Sequence, residues 1–262
     1  MFSFSSGFRG CLKVSMVFRW IALLLVAALA AATYAVHVGV LAVPARYNPW
    51  APLDVDAAPD WLTDIRLARA RRDPALCAAA LASTGMQYDP VPDRETGPGC
   101  GFSHAVRLRT APVRFGGAPL TLSCPMALSF YMWERHALQP AAEARYGQRV
   151  TAIEHLGSYA CRNVNLGDAT PGSSRSRHAT ADALDVSALV LADGRRVSLV
   201  RDWRSTEADD DPAVVSVPTA ALLLRDARRG ACRFFDGVLG PDYNAVHRDH
   251  FHLETGGFGM CR

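Results

Sequence analysis

The chain has 262 residues, of which 50% are hydrophobic and 20% charged, and its formal net charge is +3. This length fits one globular domain of ordinary size plus an accessory segment. The composition excludes a largely disordered chain, and so small a basic excess does not indicate a nucleic-acid partner.

A long apolar run occupies residues 20–43. Three basic residues precede it: Arg9, Lys13 and Arg19. A helix of about 20 apolar residues crosses a bilayer, and this run is longer than an ordinary signal-peptide core. The sequence therefore predicts a single inner-membrane anchor, with basic residues 1–19 in the cytoplasm and the rest of the chain in the periplasm. The alternative is a signal cleaved near the small residues 28–35, which would export the same domain without a tether.

Residues 44–59 contain four prolines and lack a periodic apolar pattern. Such a composition predicts a linker that separates the membrane anchor from a folded domain at residues 60–262.

The cysteines that follow the predicted anchor are even in number, which fits disulfides in an oxidising compartment. They are Cys77, Cys100, Cys124, Cys161, Cys232 and Cys261. Sequence does not choose among the many possible pairings, and neighbourhood alone favours joining them in chain order, 77–100, 124–161 and 232–261. Because no CxxC pair occurs, a cysteine metal site is not indicated.

Helices are predicted where apolar periodicity meets capping signals. They lie at residues 61–68, 74–84, 125–139 and 215–229. Asp73 and Pro74 form a cap followed by a first-turn proline, while Pro140 and Gly230 are expected to end the helices that precede them.

Strands are predicted where apolar and polar residues alternate. They lie at residues 106–109, 120–122, 150–153, 157–162, 183–191 and 196–203, the last two joined as a hairpin by Asp193-Gly194. Three segments are expected to lack regular structure: turn-rich 86–103, the loop 163–175 and the acidic run 207–211. The sum is an α+β domain, with a mixed sheet and peripheral helices.

Two segments concentrate side chains that carry chemistry. In the first, His178 and Asp185 lie seven residues apart, and Asp185 is expected to point away from the apolar face of its strand. In the second, residues 247–254, His250 and His252 share one face if the segment is extended. A catalytic zinc ion takes three nitrogen or oxygen ligands and leaves a fourth position for water.

A lone histidine is more often a packed or surface residue than a ligand. This interpretation holds for His37, His104, His136 and His155. Several imidazoles and carboxylates crowded together are costly to bury without a metal or mutual pairing, so the two segments together favour a metal site.

The same residues resemble a known family. The motifs Ser176-x-His178, Ala183-x-Asp185 and His250-Phe-His252 are similar to the zinc motifs of the DD-peptidase and Hedgehog-type fold, whose members include D-alanyl-D-alanine carboxypeptidases and murein endopeptidases. More closely, residues 77–262 resemble the bacterial extensin-like C-terminal domain, through 159–162, 176–185 and 235–252. The resemblance implies an antiparallel-rich mixed sheet with flanking helices.

The resemblance also implies roles for individual residues. His178, Asp185 and His252 take the positions of the zinc ligands. Two residues, Asp249 and His250, are alternatives for the general base. A further arginine, Arg162, resembles the one that meets the developing oxyanion, with a salt bridge or cap beside a disulfide as its alternative. Ser176 would support the ligand loop.

These roles imply zinc-assisted hydrolysis of an amide bond. In the periplasm the expected substrate is the stem peptide or cross-link of peptidoglycan. Two alternatives remain: a non-catalytic module that binds the cell wall or a partner and keeps a structural zinc ion, and a metal-free domain in which histidines pair with carboxylates. No GxGxxG or GxSxG motif indicates a nucleotide cofactor or a serine nucleophile.

The chain departs from the resemblance at Ala181, where relatives usually carry glycine. Glycine at such a position often serves a positive φ or a close backbone approach. We therefore expect alanine to strain the ligand loop by about 1 kcal/mol.

Overall fold

A computed structural model describes most of the chain. The described residues are 8–117, 119–165, 171–204, 217–257 and 259–262. The chain divides into two compact units, Met1–Ala51 and Pro52–Arg262. The second unit is a mixed α+β domain, as the sequence predicts.

The first unit contains a long apolar helix, α1 (Phe8–His37). Its segment Met16–His37 has a mean hydropathy of 2.1, contains no buried residue, and is long enough to cross a membrane. The helix ends earlier than the predicted boundary at residue 43, and Gly39, just beyond it, takes a φ of 77°. Its length and position fit a single-pass anchor or a signal sequence.

Part of the predicted linker packs into the second unit. Val55 is 1% exposed, and its carbonyl oxygen accepts a hydrogen bond from His136 Nε2 at 2.8 Å. Next to it, Asp56 Oδ1 accepts a hydrogen bond from Tyr131 at 2.9 Å. The apolar side chain at position 55 is buried because it joins the domain core.

The second unit contains six further helices among its described residues. They are α2 (Thr63–Arg72), α3 (Pro74–Ala82), α4 (Cys124–Trp133), α5 (Gln139–Tyr146), α6 (Leu199–Asp202) and α7 (Thr219–Phe234). The predicted cap of α3 is confirmed, since Asp73 Oδ1 accepts hydrogen bonds from the backbone N–H groups of Ala75 and Leu76.

Two predicted helix ends are wrong. The helical path continues from α4 to α5 through a π-helical turn at Glu134–Leu138. Pro140 therefore lies in the first turn of α5 and does not end a helix. Proline is tolerated in a first turn because it has no N–H group that must be paired there. Helix α7 continues past Gly230 to Phe234. A Cβ atom at Gly230 would collide with Ala137, so this glycine permits close helix packing instead of ending the helix.

The described residues form fourteen strands. They are β1 (Gln87–Val91), β2 (Arg94–Gly97), β3 (Cys100–Phe102), β4 (Ala105–Thr110), β5 (Arg114–Gly116), β6 (Thr121–Ser123), β7 (Val150–Gly157), β8 (Asn163–Asn165), β9 (Pro171–Arg175), β10 (Ala183–Leu191), β11 (Arg196–Ser198), β12 (Gly237–Leu239), β13 (Phe251–Glu254) and β14 (Met260–Cys261). The main sheet has the order β14-β12-β13-β10-β7-β5, with β11 also paired to β10. Its pairs are antiparallel except β5–β7 and β12–β14.

Several predicted strand assignments need correction. Strand β7 ends at Gly157, so residues 158–162 are irregular, and the supposed turn-rich and loop segments contain β1 to β3 and the β8–β9 pair. The second strand of the hairpin stops at Ser198, where the helix α6 begins. The acidic run 207–211 lies outside the described residues.

Three disulfides join the second unit: Cys77–Cys124, Cys100–Cys161 and Cys232–Cys261. Only the last agrees with the pairing by chain order. The first two are formed between elements distant in sequence, because α3 packs on α4 and the β2–β3 pair lies beside the segment after β7.

The core lies on one face of the main sheet. Phe251 and Leu253 of β13 and Leu184 of β10 are buried in it with residues of α4 and α7. Because strand side chains alternate, the residues between them point to the opposite face. That face of β10 and β13 carries the candidate site.

Candidate metal centre

The β10–β13 pair places two of the predicted ligands opposite each other. Asp185 and His252 are direct partners in the antiparallel register. Asp185 Oδ1 lies 2.9 Å from His252 Nδ1. Both positions are set by the sheet, in which neighbouring strands hold paired side chains within contact distance.

The third predicted ligand, His178, comes from a 3-10 turn at Arg177–Thr180 that precedes β10. The Ser176 hydroxyl caps this turn by accepting a hydrogen bond from the backbone N–H of His178 at 3.3 Å. Ala181 ends the turn with φ 58° and is fully buried. The backbone there is left-handed, which is the geometry that glycine would relieve.

These three side chains converge. His178 Nε2 lies 3.1 Å from Asp185 Oδ2 and 3.2 Å from His252 Nδ1. All three residues are buried, and the group could hold a metal ion. Ligand atoms about 2.0–2.1 Å from a tetrahedral cation lie roughly 3.3 Å apart, so the observed separations need only slight expansion.

In both histidines, the ring nitrogen that points away from the group also has a hydrogen-bond partner. His178 Nδ1 donates to the backbone carbonyl of Ser158 at 3.1 Å. His252 Nε2 lies 3.0 Å from Glu254 Oε2. Metal-binding histidines usually donate their other N–H to a carboxylate or a carbonyl, so both imidazoles have the outer partners of metal ligands.

The contacts within the group shift the pKa values of Asp185 and His252 in opposite directions. Burial raises the pKa of Asp185, but hydrogen bonds from His178 and His252, together with their charges, outweigh it and hold the pKa well below its usual value. Burial lowers the pKa of His252, whereas hydrogen bonds to Asp185 and Glu254 raise it to about 9. Without a cation, His252 is therefore protonated at neutral pH, and cation binding must displace its proton.

The two residues predicted as alternatives for the general base differ in burial. His250 is buried, with Nε2 3.5 Å from Asp185 Oδ1, so it faces the group. The Asp249 side chain is 43% exposed, and its Oδ1 lies 2.9 Å from His250 Nδ1. Asp249 thus stands behind His250 and accepts its N–H.

His247 belongs to the predicted segment 247–254, but no individual role was predicted for it from the sequence. Its ring lies 5.2 Å from that of His250 and 5.8 Å from that of His252. Asn244 Oδ1 accepts hydrogen bonds from the N–H groups of Val246 and His247 and lies 2.7 Å from His247 Nδ1. That amide oxygen is an acceptor, so Nδ1 carries the ring proton and Nε2 keeps its lone pair.

Burial and the nearby His252 and His250 lower the pKa of His247 to about 4, which keeps the ring neutral near pH 7. The sequence signal was the three-residue spacing Asn244-x-x-His247, which is typical of a capped turn. This spacing predicts that Asn244 caps the turn that contains His247, but it does not predict that the His247 ring faces the cavity.

A cavity of about 530 Å³ opens over the group. Its lining includes Arg162, Asp185, His247, His250, His252 and Glu254. Arg162 is exposed and donates a 3.4 Å hydrogen bond to the neighbouring carbonyl of Asn163. Its adjacent Cys161 is bonded to Cys100, which ties this part of the cavity wall to the β2–β3 pair.

Comparison with known families identifies residues 75–262 as an extensin-like protein C-terminus. The chain belongs to this family. The match covers more than two thirds of the sequence and includes every residue of the site, which confirms the resemblance to the extensin-like C-terminal domain. No curated protein and no solved structure matches the chain.

In this extensin-like domain, the three residues predicted as ligands form one buried group, and His250 and Arg162 reach the same cavity. Asp249 reaches it only through His250. Two imidazoles and one carboxylate suit several divalent cations, among them zinc, so the donor set fits a metal without identifying it.

Proposed function

We propose that this extensin-like protein is a metal-dependent, peptidase-like hydrolase that cleaves amide bonds in peptidoglycan stem peptides or cross-links. The observation that carries the proposal is the buried His178–Asp185–His252 group at the wall of an open cavity. Structural zinc sites are usually closed by four protein ligands, whereas catalytic sites use three and leave one position open.

Zinc is the proposed cation because a set of two histidines and one carboxylate is typical of hydrolytic zinc sites. When bound, it would acidify a water molecule and polarise the scissile carbonyl. The proposed relation to zinc DD-peptidases and murein endopeptidases depends on the same three residues and on the His250-Phe-His252 motif.

His250 is the proposed general base. Its Nδ1–H is directed to Asp249, which leaves a lone pair on Nε2, the nitrogen that lies 3.5 Å from Asp185 Oδ1 beside the ligand group, to accept a proton. Asp249 orients the ring and stabilises the imidazolium that forms. Neutral His247, 5.2 Å away between ring centres, provides a second acceptor.

Arg162 is proposed to stabilise the negative charge that develops on the carbonyl oxygen. Its side chain lines the cavity, and one N–H group of its guanidinium donates a hydrogen bond to the Asn163 carbonyl. A guanidinium carries five N–H donors, so it can also donate to a substrate oxygen. A cationic donor already in place at a developing oxyanion is an effective source of rate acceleration.

The proposed substrate follows from the proposed compartment. The apolar N-terminal helix and three disulfides support a domain tethered to the inner membrane on its periplasmic side, with the basic N-terminus in the cytoplasm. Peptidoglycan supplies the abundant amide bonds of that compartment.

The test is hydrolysis of purified sacculi and synthetic stem peptides by the full-length protein loaded with zinc. His250→Ala and Asp249→Ala should retain the cation and lose most of the activity, with the greater loss for His250→Ala. Binding to sacculi without release of new amino groups, at any pH and with any divalent cation, would instead identify a non-catalytic wall-binding module.

A further inference from the structure

Glu254 occupies a defined position beside the ligand group. It is the last residue of β13 and pairs in register with Gly237 of β12. Its side chain is 20% exposed and lies on the same face of the strand as His252, with Oε2 3.0 Å from His252 Nε2.

The surrounding backbone leaves space for this carboxylate. A Cβ atom at Gly237 would lie 2.5 Å from Glu254 Cγ, and one at Gly257 would collide with Glu254 Oε1. Any other residue at either position would therefore press against the glutamate side chain. The two glycines therefore leave room for the carboxylate at the outer edge of the His252 ring.

The chemistry of the pair determines which ring nitrogen faces the cation. An ionised carboxylate only accepts hydrogen bonds, so the nitrogen beside Glu254 must carry the proton. The other nitrogen, Nδ1, is the one that lies 2.9 Å from Asp185 Oδ1 and 3.2 Å from His178 Nε2. An imidazole with Nε2 protonated has its only ring lone pair on Nδ1.

We propose that Glu254 is a positioning residue that fixes the Nε2–H tautomer of His252, so that His252 binds the cation through Nδ1. This inference rests on the proposed function and adds a residue to its metal centre. The carboxylate also supplies a second negative charge beside that of Asp185, which balances a divalent cation. His178 differs, because its outer nitrogen is held by the neutral Ser158 carbonyl.

The test compares zinc affinity in the full-length protein, by competition with a chelator, among wild type, Glu254→Ala and Glu254→Gln. Loss of an outer-shell partner typically weakens metal affinity about 10- to 100-fold, which is the change expected for Glu254→Ala. Glutamine can still accept the Nε2–H bond through its carbonyl, so Glu254→Gln should lose less. Glu143→Gln, which removes an exposed charge on α5, is the matched control and should not change the affinity.

A second measurement reads the tautomer directly. In zinc-loaded protein labelled with ¹⁵N-histidine, wild-type His252 should show a protonated Nε2 and a metal-bound Nδ1, and Glu254→Ala should lose this single pattern. Gly237→Ala keeps the carboxylate but displaces it, so it should weaken zinc binding in the same direction. Circular dichroism identifies any variant that has unfolded, and Glu254→Gln then decides alone.

The outcomes separate this inference from the proposed function. If wild type binds one zinc ion and Glu254→Ala and Glu254→Gln bind it equally well, the role of Glu254 is overturned while the metal centre stands. Coordination of zinc through His252 Nε2 would also overturn the role. If wild type binds no divalent cation, both proposals fail.

Discussion

Asp185 and His252 are direct partners on adjacent antiparallel strands, with Asp185 Oδ1 2.9 Å from His252 Nδ1. Two members of the candidate metal group are therefore held by the sheet itself, and only His178 comes from a turn. A site built on strands is more rigid than one built on loops, because backbone pairing holds both positions.

The first prediction concerns loss of a single ligand. We expect His178→Ala and Asp185→Asn each to weaken zinc binding by more than the ~100-fold limit typical of outer-shell changes, because each removes a direct ligand. Equilibrium dialysis with elemental analysis of the full-length protein measures the bound zinc. His178→Ala should remain folded, since its turn keeps the Ser176 cap.

His104→Asn is the control for this experiment. His104 is exposed outside the group and has φ 51°, a geometry that asparagine tolerates. Equal zinc content in wild type and His178→Ala would contradict the metal group.

The second prediction is a stability maximum near pH 6.5 in the metal-free protein. The pKa of His252 is raised to about 9, so its contribution is complete below its unfolded value of 6.5 and is lost as the pH rises through 9. The pKa of His247 is lowered to about 4, so its contribution is present above 6.5 and is lost as the pH falls through 4. Each side amounts to about 3 kcal/mol.

Urea unfolding between pH 4 and 9 measures this profile. His252→Gln should remove the loss above pH 6.5. It should also reduce the loss on the acid side, because the charge of His252 is one of the causes that lower the pKa of His247. Excess zinc should also remove the alkaline loss, because the bound state requires His252 to give up a proton. If the free energy of unfolding of the metal-free wild type stays constant from pH 6.5 to 9, then Asp185 and Glu254 do not raise the pKa of His252.

The three residues of the candidate metal group could be predicted because each belongs to a short motif, and the resemblance to a known family implied that they are ligands. His178 and Asp185 flank one turn and the start of one strand, and His252 alternates with the apolar Phe251 and Leu253. The strand period decides which residues point away from the core. The Asp73 cap was likewise predictable from two adjacent residues.

Features that depend on tertiary packing were not predictable in this way. A glycine such as Gly230 is typical of a helix end, but here it lies inside α7 and leaves room for Ala137 on another helix. The pairing of Cys77 with Cys124 depends on contact between α3 and α4. The proposed role of Glu254 depends on the His252 ring two residues earlier and on the space that Gly237 and Gly257 leave.

The third prediction tests the left-handed residue that ends the His178 turn. Ala181→Gly removes a φ penalty of about 1 kcal/mol but also removes a buried methyl group worth about 0.8 kcal/mol, so unfolding free energy should change little. Ala181→Val should cost more than about 2 kcal/mol and weaken zinc binding, because a β-branched residue tolerates this φ poorly. Chemical denaturation and dialysis measure both; a harmless valine would show that the turn can shift without disturbing the ligand.

The last prediction separates two disulfides of similar loop length. Cys100–Cys161 spans 61 residues and Cys77–Cys124 spans 47, so replacing either pair with serine should cost a similar free energy of unfolding, about 4 kcal/mol. Only the first pair adjoins Arg162 and the cavity wall. Removal of Cys100–Cys161 should therefore increase hydrogen exchange at residues 158–165. It should also lower the rate of the proposed amide hydrolysis, in which Arg162 takes part. The double variant Cys77→Ser with Cys124→Ser should leave exchange at residues 158–165 unchanged. Hydrogen-exchange mass spectrometry measures the difference, and equal exchange in the two double variants would show that the wall is held by the sheet and not by the disulfide.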